Sequence, residues 1–337
     1  MKVLRFILFP FAILYDLVTR IRNLFFDTGI FSHTLFKTPV IVVGNLSVGG
    51  TGKTPQIEYL IRFLNTTYKV AVLSRGYKRK TTGFVLVNEN HLAAEVGDEP
   101  LQYFKKFKNI NVAVDADRVA GISKLVANNK PDVILLDDAF QHRKVKGSFY
   151  ILVTNFNDLF VDDFLLPTGN LRESRQGAKR ADVILITKCP ENLTKEDQNS
   201  IIQKLLKFNK KVFFTRISYA ATILGTTEIP TSELKNFEVL LVTGIAKPAP
   251  LTAYLDSLNV PFKHLKYADH HHFSDKEISA LEKAFDAMQA PKIMLTTEKD
   301  YVRLANRIKK LSYLPIETTF LNSEEPVFNE RIARHLK

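Results

Sequence analysis

An apolar, β-branched run that passes through a glycine-rich turn into Gly-Lys-Thr constrains this chain more than any other feature. The segment reads Val40-Ile41-Val42-Val43-Gly44-Asn45-Leu46-Ser47-Val48-Gly49-Gly50-Thr51-Gly52-Lys53-Thr54-Pro55. A buried strand before the turn, and Ile57, Leu60, Ile61 and Leu64 at helical spacing after it, predict strand, loop and helix in succession. Such a loop binds phosphate because small residues let successive N–H groups converge on an anion at the positive end of the helix. In that arrangement the residues from Ser47 through Val48, Gly49, Gly50, Thr51 and Gly52 cradle the anion, Lys53 reaches the β/γ-phosphates, and the Thr54 hydroxyl suits Mg²⁺. Pro55 falls in the first helical turn, where no N–H is needed. Ser47 stands six residues before Lys53, where the usual pattern has glycine.

With 337 residues, 45% of them hydrophobic, the chain is long enough for two ordinary globular domains and is not a disordered polymer. Its one cysteine, Cys189, excludes an intramolecular disulfide and the cysteine-rich zinc modules, in keeping with a reducing compartment. A net charge of +12 calls for an anionic partner, whether nucleic acid, anionic lipid or a phosphorylated substrate. The cations are spread along the chain without an aromatic-rich RNA-binding signature, which argues against nucleic acid.

Residues 1–31 are rich in Phe, Leu and Ile, but their longest uncharged run, 6–15, falls well short of the ~20 residues needed to span a bilayer. On a helical wheel Lys2, Arg5, Asp16, Arg20, Asn23 and Asp27 share a sector of roughly 60°, with Phe6, Leu8, Phe9, Ile13, Leu17, Leu24 and Phe25 outside it. Arg22 interrupts the pattern. A helix lying in a membrane interface is expected, with packing onto the protein's own core as the alternative. A cleaved signal fits poorly, since bulky apolar residues follow Arg20 and Arg22 and no small-residue site closes the apolar stretch.

Strand-like runs recur at 70–73, 133–136, 150–153 and 183–186, and again around 212–214, with helical segments between several of them. Continuous β-branched runs alternating with helices predict a parallel sheet covered on both faces. A smaller repetition follows, with strands at 239–242 and 292–295 and helices at 249–258 and 275–288. The expected architecture is α/β: a P-loop NTPase-like parallel sheet over 37–215, a second, smaller α/β domain over 216–337 that closes over the active site, and an N-terminal membrane-facing amphipathic helix within 1–36.

Asp137 and Asp138 end the run 133–136, at the carboxyl edge where ligands of open α/β sheets bind and where a phosphate-loop enzyme needs an acid for Mg²⁺. Gly97-Asp98-Glu99-Pro100 reads first as a helix start with N-terminal acids. Asp269-His270-His271-His272-Phe273 is no zinc site, since three successive histidines do not share a helical face, but a His paired with an Asp makes a suitable proton acceptor. Arg75, Lys78, Arg79 and Lys80 form a basic loop that is either a solvated turn or an anion contact.

Taken in order, Gly44 to Pro55, Ser74-Arg75-Gly76-Tyr77, Gly97-Asp98-Glu99-Pro100, Leu136-Asp137-Asp138-Ala139-Phe140-Gln141-His142, Leu171-Arg172-Glu173, Asp269-His270 and Thr297-Glu298-Lys299-Asp300 resemble the tetraacyldisaccharide 4′-kinase family of lipid A biosynthesis. The likeness runs from the first strand to about residue 303, includes the apolar N-terminal helix, and absorbs Ser47, because that family's loop has Ser or Thr there. It implies transfer of the γ-phosphate of ATP to the 4′-hydroxyl of a tetraacylated glucosamine disaccharide 1-phosphate, giving lipid IVA, on the cytoplasmic face of the bacterial inner membrane. It further implies a catalytic Asp98 supported by His270, Lys53 on the phosphates, and Thr54, Asp138, Asp137 and Glu173 serving Mg²⁺. Arg75, Tyr77 and Arg172 would meet the lipid substrate, and contact with an anionic membrane would need no obligatory protein partner. Ala139 and Ser174 depart from the more usual Gly and Pro of that family. The rival reading is a P-loop GTPase or ATPase switch at the membrane surface, suggested by Ile186-Thr187-Lys188, but Thr187 and Pro190 replace the Asn and Asp of a guanine-reading loop.

Overall fold

The computed structural model describes residue 5, residues 7–269 and residues 271–336. The β-branched runs form one nine-stranded sheet. From one edge to the other it comprises Ile316–Phe320, Lys211–Tyr219, Val183–Thr187, Phe149–Asn155, Val40–Gly44, Val133–Asp137, Val70–Ser74, Asn111–Val114 and Val85–Leu86. The inner seven are parallel and the two edges antiparallel. Alternation along Val40–Gly44 explains why the run has no polar residue. Ile41 and Val43 join a core under helix Lys53–Leu64, while Val40 and Val42 join one under helix Arg118–Asn129, so both faces are covered. Val43 pairs with Asp137, so the phosphate-loop strand and the acid-bearing strand end side by side.

A second sheet runs Ile229–Pro230, Thr222–Gly225, Ser312–Leu314, Lys292–Thr297, Glu238–Thr243 and Phe262–Lys266, the last four strands being parallel. Leu251 and Leu255 of helix Ala249–Ser257 cover one face, and Ile278, Leu281 and Phe285 of helix Asp275–Asp286 the other. The α/β class and the second, smaller α/β unit are therefore as the sequence predicts.

The expected boundary between 215 and 216 falls inside the strand Lys211–Tyr219, and the C-terminus does not stay with the second unit. Ile316–Phe320 pairs antiparallel with that strand, and helix Glu325–Ala333 sinks Phe328 and Ile332 into the core of the first sheet. Phe213, Phe320 and Tyr59 pack around Phe328, and Gln56 and Tyr59 bond to Thr318, Glu325 and Asn329. The two units are thus joined by a ribbon of two antiparallel strands that runs out of one sheet and into the other.

Helix Phe9–Asp27 docks by its polar residues. The Tyr15 hydroxyl donates to the Arg172 carbonyl (2.8 Å), Asn23 to Glu173 (2.9 Å), and Arg143 binds both the Asn23 carbonyl (2.8 Å) and Asp27 (2.6 Å). Only Ala12, Thr19 and Phe26 are buried along the helix, while Phe11, Ile13, Leu14, Leu17, Val18 and Leu24 are each more than half exposed. No described helix is long and apolar enough to cross a membrane.

Phe328 is completely buried although it lies more than a hundred residues beyond the expected boundary. Phe328→Ala is expected to destabilise the first sheet by about 3–5 kcal/mol. Urea denaturation would register this as a lower midpoint, and a midpoint unchanged in the unit carrying residues 40–219 would disprove the assignment.

Candidate active site

The loop between strand Val40–Gly44 and helix Lys53–Leu64 is shaped by two glycines in particular. A Cβ at Gly44 would meet the Phe140 Cβ at 2.6 Å, and Gly52 caps the helix at φ +86, which side chains rarely adopt. Ser47 has no such requirement. It bridges Leu171 in extended backbone, which explains how the loop does without a glycine there. The carbonyls of Asn45 and Leu46 are taken by the Gln141 side chain (2.8 Å) and the Arg172 N–H (2.7 Å). The N–H groups of Gly50, Gly52, Lys53 and Thr54 find no acceptor among the described residues. These donors converge at the positive end of a helix, an anion cradle.

The neighbouring strand places two carboxyls of opposite character beside it. Asp138, held at φ +48, lies 3.4 Å from Lys53 Nζ and accepts two bonds from Arg172 Nη1 at 3.1 Å. Burial would raise its pKa, but Lys53 and Arg172 outweigh that and hold it below the usual carboxylate range. Asp137 is pushed up to about 7 by burial, reinforced by the charges of Asp138 and Glu99 and only partly offset by Lys53 and Ser74. Ser74 Oγ (3.3 Å) and the Tyr103 hydroxyl (3.4 Å) both donate to it, and Thr54 lies beside Tyr103. Thr54, Asp137 and Asp138 thus lie together.

Glu173 does not join them as a free ligand. Its carboxylate accepts from Asn23 (2.9 Å), Gln141 (3.0 Å) and Arg180 (2.7 Å), which makes it the post to which the N-terminal helix is tied. Among the described residues, no three His, Cys, Asp or Glu side chains are grouped to hold a metal ion by themselves.

Asp98 opens helix Asp98–Lys106, whose start is pressed against the Arg75 loop. A Cβ on Gly97 would come within 3.2 Å of the Gly76 Cα. Arg75 and Tyr77 are exposed beside a groove of about 400 Å³, which Lys78 and Thr82 also line. Arg79, half-buried, lines the groove too and bonds to the carbonyls of Val114 (3.3 Å) and Gly83 (2.5 Å). His270, the expected partner of Asp98, lies outside the described residues. His271 bonds to Glu277 (2.9 Å), the residue that caps the next helix together with Ser274.

Reading the sequence missed Arg303. From helix Glu298–Leu304 of the second unit it grips both oxygens of Asp98, through Nε at 3.0 Å and through Nη2. Its side chain is 8% exposed and also contacts Asp300, which is fixed by the Gly244 N–H (2.8 Å) and Thr297 (2.7 Å). Nearby, Lys106 bridges Glu58 and Glu298 at 2.6 Å each. The two units therefore meet along these helices, and Asp98 is held from the far side. The available signal was the three-residue helical step from Asp300 to Arg303, next to a motif already noted. Arg118, buried beside the acid pair and bonded to the carbonyls of Asp115 and Ala116, gave no local signal at all.

Parallel strands ending in an anion cradle, with a lysine and two acids at its mouth, define an α/β protein built to handle phosphoryl groups. A family model described as LpxK, Tetraacyldisaccharide-1-P 4′-kinase, matches residues 4–337. The chain belongs to that family. It is 53% identical to the tetraacyldisaccharide 4′-kinase of Flavobacterium johnsoniae, covering 100% of this chain and 98% of the relative, and 41% identical to that of Bacteroides thetaiotaomicron, covering 98% and 93%. The crystal structure of Aquifex aeolicus LpxK in complex with ATP superimposes with a TM-score of 0.81 at 30% identity, over 99% of this chain and 100% of that one.

Folded Asp137 titrates near 7, whereas an unfolded aspartate does so near 3.9, so in that interval the folded state holds the extra proton and stability falls as pH rises. Asp137→Asn should flatten the decline measured by denaturant titration between about pH 4 and 7. Part of the slope will remain, since burial beside Glu58 raises Glu298 to about 7 as well. A slope identical to wild type would mean that Asp137 is already ionised across this range.

Proposed function

We propose that this chain transfers the γ-phosphoryl group of ATP to the 4′-hydroxyl of a tetraacylated glucosamine disaccharide 1-phosphate, working at a membrane surface. The observation that carries the reading is the set of unaccepted N–H groups at Gly50, Gly52, Lys53 and Thr54, with Lys53 at the acid pair, in a chain of this family. Those donors and Lys53 hold the β- and γ-phosphates in line for attack. The sugar oxygen forms a bond to phosphorus, the bond to the ADP oxygen breaks, and Asp98, supported by His270, takes the hydroxyl proton. Arg303 meets Asp98 through Nε on one oxygen and Nη2 on the other, which orients the carboxylate for this step.

Mg²⁺ would be held by Thr54, Asp138 and Asp137. Its ordinary mode fits a site with few protein ligands, one or two carboxylates completed by substrate phosphates. When bound it neutralises charge on the transferring phosphoryl group. The raised pKa of Asp137 marks a buried carboxyl short of positive charge, which a divalent cation would supply. Arg172 steadies Asp138, and the groove beside Arg75 and Tyr77 suits the phosphate and sugar of the acceptor.

Membrane contact is supported by the N-terminal helix, which spends Tyr15, Asn23 and Asp27 on the protein and turns its apolar residues outward. Each such side chain withdrawn from water contributes roughly 1.5–3 kcal/mol. Use of ATP favours the cytoplasmic face of the inner membrane.

Incubation with ATP, Mg²⁺ and the tetraacyldisaccharide 1-phosphate should give a product heavier by one phosphoryl group, with ADP released only when lipid is present. Nucleotide hydrolysis without lipid phosphorylation would favour the switch reading. Asp98→Ala should lower kcat far more than it changes ATP affinity, with the Asp98→Ala/His270→Ala double variant little worse. Fully multiplicative losses would show that the wrong pair has been named. Deleting residues 1–22 should move protein from membrane to soluble fractions and raise KM for lipid more than for ATP. Unchanged partition at moderate and high salt would defeat the anchor.

A further inference from the structure

Thr187 ends the strand Val183–Thr187, Lys188 follows it, and both remain unexplained once a guanine-reading role is set aside. Both side chains turn toward the phosphate loop. Lys188 Nζ donates to the Gly50 carbonyl at 2.6 Å, and the Thr187 hydroxyl to the Thr51 carbonyl at 2.6 Å. The contact continues to Gly52, where an added Cβ would lie 3.3 Å from Thr187 Oγ1 and 3.8 Å from Lys188 Cε.

The planarity of the peptide bond gives these contacts a consequence. In a trans peptide the C=O of one residue and the N–H of the next point in opposite directions, so fixing one aims the other. Thr187 pins the Thr51 carbonyl, which directs the Gly52 N–H away from it, into the cradle. Lys188 pins the Gly50 carbonyl, so the Thr51 N–H points the other way and meets the Gly49 carbonyl at 3.0 Å. That second bond fixes the Gly49–Gly50 peptide and so aims the Gly50 N–H. A loop with three glycines in four residues has many other orientations open to it, and a flipped peptide would offer the phosphate a carbonyl oxygen instead of a donor. Lys188 also brings a charge. Desolvation against the loop, then the positive charges of Lys247 and Lys53, draw its pKa down, as expected where cations are gathered for an anion.

We propose that Thr187 and Lys188 are positioning residues for nucleotide binding, a clamp from the next strand but one that sets the Gly49–Gly52 peptides so that the Gly50 and Gly52 N–H groups face the β-phosphate before ATP arrives. The inference rests on the reading of residues 47–54 as the nucleotide phosphate loop.

Calorimetric titration of the full-length protein with ATP and with ADP, alongside steady-state kinetics, tests it. Lys188→Met should weaken both nucleotides by about tenfold, the scale of one lost hydrogen bond from a charged donor, because both present a β-phosphate. kcat at saturating ATP and KM for lipid should stay close to wild type, and Lys188→Arg should restore most of the affinity. Thr187→Val should show a smaller loss of the same kind. Lys188 is exposed, so its replacement leaves the fold intact even if the buried Thr187 does not tolerate change. Unchanged ATP and ADP affinity in Lys188→Met, or a loss of kcat with affinity intact, would overturn the proposal. Lys53→Ala separates the two levels. If it binds and turns over ATP like wild type, the phosphate-loop reading itself fails, whereas a crippled Lys53→Ala beside a normal Lys188→Met defeats the clamp alone.

Discussion

The site depends on a division of labour within one stretch of backbone. A chain turning through 45–54 must turn its carbonyls aside before it can offer N–H groups to an anion, because a peptide dipole aimed the wrong way repels what the next one attracts. Here Gln141, the Arg172 backbone, Lys188 and Thr187 take the carbonyls from four different directions. These partners come from the ends of neighbouring parallel strands and the segments that follow them. The sheet register, with Val43 opposite Asp137 and Gly44 opposite Leu152, is what brings them within reach.

The same edge separates two adjacent aspartates by environment. Asp138 points to Lys53 and Arg172 and stays ionised, while Asp137 is buried and retains its proton to near neutrality. Adjacent residues can differ so much because the positive φ at Asp138 swings its side chain out of the strand, leaving Asp137 in line with the core. The hydroxyls of Ser74 and Tyr103 then serve a group that needs donors once it is charged.

What was legible in the sequence was whatever is set by local pattern. The strand, glycine turn and helix of residues 40–64 could be read from periodicity, the acid pair from its place after 133–136, and the outward apolar stripe from the helical wheel. What was not legible depends on contacts between distant segments. Arg303 on Asp98 spans 205 positions and Asn23 on Glu173 spans 150, and neither has a spacing that periodicity can detect. Glu173 was expected at the metal from the family resemblance, yet three donors already surround it. The return of Ile316–Phe320 to the first sheet escaped notice because a short strand of mixed polarity looks alike on either sheet. Signals in the chain gave the site's chemistry more readily than the connections that hold it in place.

The ribbon between the two units limits how they can move. One connection would permit free swivelling, but two antiparallel strands hydrogen-bonded side by side, with the Ala220 N–H on the Pro315 carbonyl at their crossing, resist both twisting and sliding. The soft direction left is flexing across the flat of the ribbon. Any such flexure would have to part Arg303 from Asp98 and Lys106 from Glu298, so these ion pairs latch the two units at a second place, away from the ribbon.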